Sequence, residues 1–269
     1  MGTMIEAIQV NIARNGQTIL SQIDVKIMKG MSVVVTGANG SGKSSLIKLL
    51  AGMYEPQQGS VNRSFQSYAY VPEHFPEHLP FTVEKYLHLM MEMGRGMDKA
   101  RLDSYIELLQ LQPFLHTPLK KCSKGTKQKA GIIQALMKES DVLFLDEPFT
   151  GLDESTCETV VEVLLELKEK KTMVFVLHEE QLVQKLATHR AKLENGRLAD
   201  FSSIQLVNPS LHITFSTKQP LSTSIQQKMK QISDEKMKLT VAESESDFVL
   251  TELLKQGAHI LEVKAGENE

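Results

Sequence analysis

Apolar residues recur along this chain with two different periods. Ile5–Ile12 and Thr18–Ile27 alternate apolar and polar positions, which predicts two strands joined at an Asn15-Gly16 turn. Ser32–Thr36, Val142–Leu145 and Thr172–Leu177 are short, β-branched and apolar throughout. Such runs, flanked by turn residues, predict strands buried on both faces. Helical spacing governs Ser44–Ala51, Thr82–Met93, Asp98–Leu111, Lys124–Lys138, Ser155–Lys171 and Glu179–Thr188. In the fifth of these, Val160, Val163, Leu164 and Leu167 fall on one helix face. Asn195-Gly196 predicts a hairpin turn between two further strands.

Buried strands alternating with helices imply an α/β fold with a mainly parallel sheet covered on both sides. Residues 74–138 interrupt that alternation. They carry helices only, punctuated by Pro113 and Pro118, and read as a helical insertion in a first domain of residues 1–201. After Phe201 the pattern restarts beyond Pro209. His212–Thr217, Lys238–Glu243 and His259–Ala265 read as strands, Ser222–Ser233 and Ser246–Lys255 as helices. A small βαβαβ accessory unit over 202–269 is the expectation.

Composition narrows the classes. The 269 residues are 41% hydrophobic and 23% charged, ordinary for a globular protein. With 30 Lys+Arg against 33 Asp+Glu, the net charge of -3 argues against general nucleic-acid binding. Cys122 and Cys157 have no metal-ligand spacing and make no disulfide framework, so a reducing cytosol is expected. No apolar run approaches the roughly 20 residues that cross a bilayer, and Met1–Met4 lacks the pattern of a signal peptide. Any membrane role is therefore expected to run through a partner. His74, His78, His88 and His116 read as surface or packing residues. Met90, Met91, Met93 and Met97 read as adaptable helix-face packing, with a soft docking surface as the alternative.

One segment carries sharper chemistry. Gly37-Ala38-Asn39-Gly40-Ser41-Gly42-Lys43-Ser44, followed by Ser45, lies between an apolar strand and a helix and matches G-x-x-x-x-G-K-[ST]. Glycines let the backbone curl so that several N–H groups face one anion, and the helix adds its positive end. Lys43 is placed to reach β- and γ-phosphates, and the Ser44 hydroxyl to bind Mg²⁺. Val142–Pro148 supplies the complement. Its strand ends in Asp146, a candidate holder of Mg²⁺, and then in Glu147, a candidate general base for an attacking water.

Over about Ile5–Asp200 these residues resemble the ATP-binding-cassette (ABC) ATPases, the motor subunits of ABC transporters. Cys122-Ser123-Lys124-Gly125-Thr126-Lys127-Gln128 resembles the family's LSGGQ signature through Ser123 and Gly125. Gly151-Leu152-Asp153 resembles its D-loop and His178 its switch histidine. Tyr70-Val71-Pro72-Glu73 occupies the Q-loop position, with Glu73 where glutamine is usual. The resemblance implies a P-loop core with an N-terminal antiparallel β portion and a helical subdomain. It implies ATP and Mg²⁺ as cofactors, Glu73 as a possible metal ligand, and Lys43, Glu147 and His178 as catalytic residues. It implies a head-to-tail pair of cassettes, identical or not, in which Ser123, Gly125 and Asp153 of one copy meet nucleotide on the other. Separate transmembrane permeases would hold the pair at the cytoplasmic face of the membrane.

Three departures stand out: Glu73 stands where glutamine is usual, Lys124 puts a cation into the signature loop, and the aromatic expected before the P-loop is missing. No Phe, Tyr, Trp or His occurs in residues 1–36, so the expected aromatic for adenine is missing. The guanidinium of Arg14 is one candidate substitute and an aliphatic contact the other. Tyr-Val-Pro-Glu and Ser-Lys-Gly-x-x-Gln resemble the branch that serves ABC-2-type exporters. The competing class is a non-transport ABC ATPase of translation or DNA repair. The single cassette and the absence of a heptad run argue against it.

Overall fold

The computed structural model describes residues 2–14, 16–76, 78–93, 98–204, 210–217, 225, 229–233, 236–242 and 245–265. They form two compact units, Met1–Gln205 and Leu206–Glu269.

The first unit opens with the expected hairpin, β1 (Thr3–Arg14) and β2 (Gln17–Met28), then β3 (Ser32–Thr36) and α1 (Lys43–Leu50). Two strands that the hydrophobic pattern did not announce follow, β4 (Gln58–Arg63) and β5 (Tyr68–Val71). β4 is mostly polar and exposed, and β5 has only four residues, so neither shows a legible period. The helical segment comprises α2 (Val83–Met93), α3 (Lys99–Leu108), two 3₁₀ turns and α4 (Lys124–Met137). The core then resumes with β6 (Val142–Asp146), α5 (Glu154–Lys168), β7 (Thr172–Val176), α6 (Glu180–Leu186), β8 (His189–Glu194) and β9 (Arg197–Ser203). Because β9 runs to Ser203, this unit extends past the boundary expected at residue 201.

Strands β5-β6-β7-β3-β8-β9 make one six-stranded sheet, parallel except for β9. Each apolar run serves two cores, because alternate residues point to opposite faces. Val33, Val35, Phe144, Val174 and Val176 pack with α1 and the antiparallel sheet β2-β1-β4. Val34, Leu143, Leu145, Met173 and Phe175 pack with the helices of the other face. Phe144 and Phe175 are fully buried on opposite faces. Truncating either to Ala costs about 3–5 kcal/mol. The parallel register matters for function, because it brings the C-terminal ends of β3, β6 and β7 to one edge.

The second unit contains β10 (Ser210–Ser216), β11 (Met229–Ser233), β12 (Lys236–Ala242), α7 (Ser246–Lys255) and β13 (His259–Ala265). Its sheet, ordered β11-β12-β10-β13, is antiparallel at every pairing. Ile213, Phe215, Leu239, Val241 and Leu253 form a core of their own. Two expectations fail here. Met229–Ser233 is a strand paired with β12, with Met229 opposite Leu239, where the helix over Ser222–Ser233 was expected. Lys, Gln and Met favour helix intrinsically, but pairing with a neighbouring strand overrides that weak preference. The βαβαβ order fails with it. The Pro209 linker and the rest of the expected helix, apart from Ile225, lie outside the described residues.

Candidate nucleotide site

β3 delivers the chain into a cradle whose glycines have specific reasons to be there. A Cβ on Gly37 would lie 2.3 Å from the Leu193 carbonyl oxygen, and one on Gly42 2.9 Å from Leu20. Both residues also adopt positive φ, which side chains resist. Inside the cradle the Ser41 hydroxyl is buried without a hydrogen-bond partner among the described residues. Such an orphan is costly unless a ligand completes it. Lys43 is buried and folds back, donating to the carbonyl oxygens of Gly37 at 3.0 Å and Ala38 at 3.1 Å. Those are contacts that a phosphate can replace with stronger charge-assisted ones.

Asp146 ends β6 and is 1% exposed. Ser44 Oγ donates to its Oδ1 at 3.0 Å, and the Tyr70 hydroxyl donates to its Oδ2 at 3.1 Å. Burial pushes the Asp146 carboxyl up from its ordinary value. The two hydroxyls and Lys48 oppose the rise, and the charge of Glu73 adds to it. A buried carboxylate with two hydroxyl oxygens and a second carboxylate nearby is a hard oxygen set. It suits Mg²⁺, which takes one or two carboxylates and leaves its other positions to water and phosphate.

Glu147 turns the chain off the sheet at φ 49°. Pro148 disfavours the right-handed helical region for the residue before it. The left-handed conformation costs about 1–2 kcal/mol. The Glu147 N–H still extends the β6–β7 ladder by donating to Val176 O at 3.2 Å. His178 leaves the neighbouring strand at the same edge, and its Nε2 lies 2.8 Å from Glu147 Oε1.

Asn39, Gly40, Gly42–Ser45, Glu73, Glu147 and His178 line one cavity of about 940 Å³, whereas Gly37, Ala38, Ser41 and Asp146 are not among its lining residues. The lining is completed by Gln17, Thr18, Ile19, Asn195 and Gly196, none of which the sequence marked as a site residue. The missed signal is long-range. The hairpin tip at Asn195-Gly196 closes on β2, with Ser21 N donating to Gly196 O at 2.8 Å. Arg14 is exposed and is not among the lining residues, whereas Ile19 is.

Ser123, Gly125 and Asp153 do not line the cavity either. They gather with one another. Ser123 caps α4 by accepting from Thr126 N, and Asp153 caps α5 by accepting from Thr156 N. A Cβ on Gly125 would sit 2.2 Å from Gly151 O, so the two loops touch backbone to backbone. Lys129 reaches Asp153 at 3.5 Å. Gln128 ties the cluster back to the cavity walls by donating to Pro148 O at 3.1 Å and Pro72 O at 3.5 Å.

The sheet edge, cradle and paired carboxylates define a P-loop ATPase. Residues 20–150 match the ABC transporter family. The zinc import ATP-binding protein ZnuC of Mannheimia succiniciproducens is 31% identical over 186 residues, 67% of this chain and 69% of that one. The ABC transporter ATP-binding protein YhcH of Bacillus subtilis is 27% identical over 98% of this chain and 92% of its own length. A solved ATP-binding subunit of an ABC transporter superposes with a TM-score of 0.68 at 25% identity, covering 75% of this chain and 90% of that one. The chain belongs to the ABC transporter ATP-binding family and is an ATPase.

Proposed function

We propose that this chain is the motor subunit of a transporter whose permease lies on separate chains, and that it works by closing as a pair of cassettes on ATP. The observation that carries the reading is the 2.8 Å contact of Glu147 with His178 in the cavity that the P-loop lines. In this reading Glu147 is the general base toward water and His178 orients it. Lys43 and the backbone of Gly37–Ser45 hold the phosphates. Ser44, Asp146 and Glu73 would hold Mg²⁺, which would supply charge neutralisation of the phosphates. Ser123, Gly125 and Asp153, clustered outside the cavity, suit contact with nucleotide held by a second cassette. The positive N-terminus of α4 faces outward with them and would sense a terminal phosphate.

Among the described residues no helix is long and apolar enough to cross a membrane, which fits a peripheral subunit at the cytoplasmic face. The relative ZnuC is named for zinc import. An exporter direction therefore rests only on Tyr70–Glu73 and the Ser123-Lys124-Gly125 loop, and we keep it as the finer proposal. The test is affinity purification of the tagged chain from its own membranes. A co-purifying polytopic membrane protein is the expected result, and its type assigns direction. Sedimentation with ribosomes, with no membrane partner, would overturn the transport reading in favour of a translation factor.

A further inference from the structure

We propose that Tyr70 is a positioning residue for the cation site: its hydroxyl and that of Ser44 hold the two oxygens of Asp146 from opposite sides, so that the carboxylate meets Mg²⁺ already oriented. The inference rests on the proposed role of Asp146 in holding Mg²⁺.

The geometry is specific. Tyr70 stands on β5, the strand next to β6, with Tyr70 opposite Phe144 in register. From there its hydroxyl reaches Asp146 Oδ2 at 3.1 Å, while Ser44 Oγ holds Oδ1 at 3.0 Å. A carboxylate torsion is broad and intrinsically soft, so one donor alone fixes it poorly. Two donors on different oxygens define the plane. Each oxygen keeps a further lone pair for a cation or its water. Ser44 has two tasks, since its oxygen must also face the metal. Tyr70 has one. A phenol is protonated at neutral pH, so the Tyr70 hydroxyl is a donor to the carboxylate.

Tyr70 also sits three residues before Glu73, in a segment whose Pro72 carbonyl accepts from Gln128 of α4. The hydroxyl therefore links that segment to the metal-binding carboxylate. A shift of β5 would loosen Asp146 without any change in the P-loop. Tyr70 touches neither phosphate nor water in this scheme, which makes it a positioning residue rather than a catalytic one.

The experiment is calorimetric binding of ATP to the full chain, with Mg²⁺ titrated against chelator, for the unsubstituted protein and Tyr70→Phe. The ring is kept and one oxygen is lost. ATP affinity in chelator should stay within about twofold. The Mg²⁺ concentration that half-develops the tighter binding should rise roughly tenfold, as for loss of a hydrogen bond to an ionised group. Tyr86→Phe removes another buried phenol oxygen far from any carboxylate contact and should leave the Mg²⁺ dependence unchanged. An unchanged Mg²⁺ midpoint in Tyr70→Phe, or an equal shift in both variants, overturns the proposal. A second measurement needs no variant. Tyrosine labelled at the ζ carbon in mixed light and heavy water should show a slowly exchanging Tyr70 hydroxyl in the nucleotide-free protein, and one averaged line would overturn it. If the unsubstituted protein binds ATP equally with and without Mg²⁺, the cation site itself fails, which is a separate outcome.

Discussion

The two parts of the cavity lining, proposed here for the phosphates and for the base, are built on opposite principles. At the phosphate end the backbone does the recognising. Gly37 and Gly42 sit where a Cβ has no room, Ser41, Lys43 and Asp146 are buried, and Tyr70 and Ser44 hold the carboxylate. At the base end Gln17, Thr18 and Asn195 are exposed and Ile19 is half-buried. Among the described residues lining the cavity, the only aromatic-type ring is the His178 imidazole, which contacts Glu147. Buried charge recognition in the one part contrasts with an open, mostly polar shelf around Ile19 in the other. Binding energy should therefore reside in the phosphates and the cation, with little discrimination among bases.

The largest test of that contrast acts at the phosphate end. Glu147→Gln keeps shape and removes basicity. Turnover should fall about 10²-fold or more, while MgATP should hold the variant as a dimer in size-exclusion runs. Unchanged turnover would remove Glu147 from the role of base. The middle test acts at the base end. The ratio of ATP to GTP dissociation constants should stay below about 30, because a stacked ring, worth roughly 1–3 kcal/mol, is absent. Ile19→Tyr should tighten ATP by about tenfold if the ring lands on the base. A strong preference in the unsubstituted protein would mean that the shelf reads the base after all.

The smallest effect belongs to neither end. The Thr156 backbone N–H, then the Thr156 and Ser155 hydroxyls, hold the Asp153 carboxyl well below its ordinary value of 3.8. A depressed folded-state pKa adds stability that is present above the unfolded value and lost as pH falls through the folded one. Asp153→Ala should lower the melting temperature slightly at pH 7, and the gap should close as pH drops below about 4. Nucleotide affinity of the isolated chain should not move. If it does, Asp153 contacts the bound nucleotide within one chain and the division between cavity and outer cluster is wrong.

Legibility followed the range of the interactions. Gly37–Ser44 could be read because its chemistry is contiguous: strand, glycine turn, lysine, helix. Asp146 and Glu147 could be read because a buried strand must end somewhere, and in a parallel sheet it ends at the ligand edge. Tyr70 was visible as a residue of its segment but not as a partner of Asp146, 76 positions away. The shelf at Ile19 was hidden for a similar reason, since the tip at Asn195-Gly196 closes it from far along the chain.

The sequence by itself therefore determined the class of fold and the motifs proposed as phosphate cradle and acidic pair, all of which depend on neighbours within a few residues. Only the tertiary structure decided which hydroxyls hold Asp146, that Ile19 and not Arg14 lines the cavity, and that Met229–Ser233 is a strand. The first two depend on contacts between segments far apart in the chain, and the third on pairing with the strand that follows. Local preference there is worth only tenths of a kcal/mol per residue, and strand pairing and burial outweigh it.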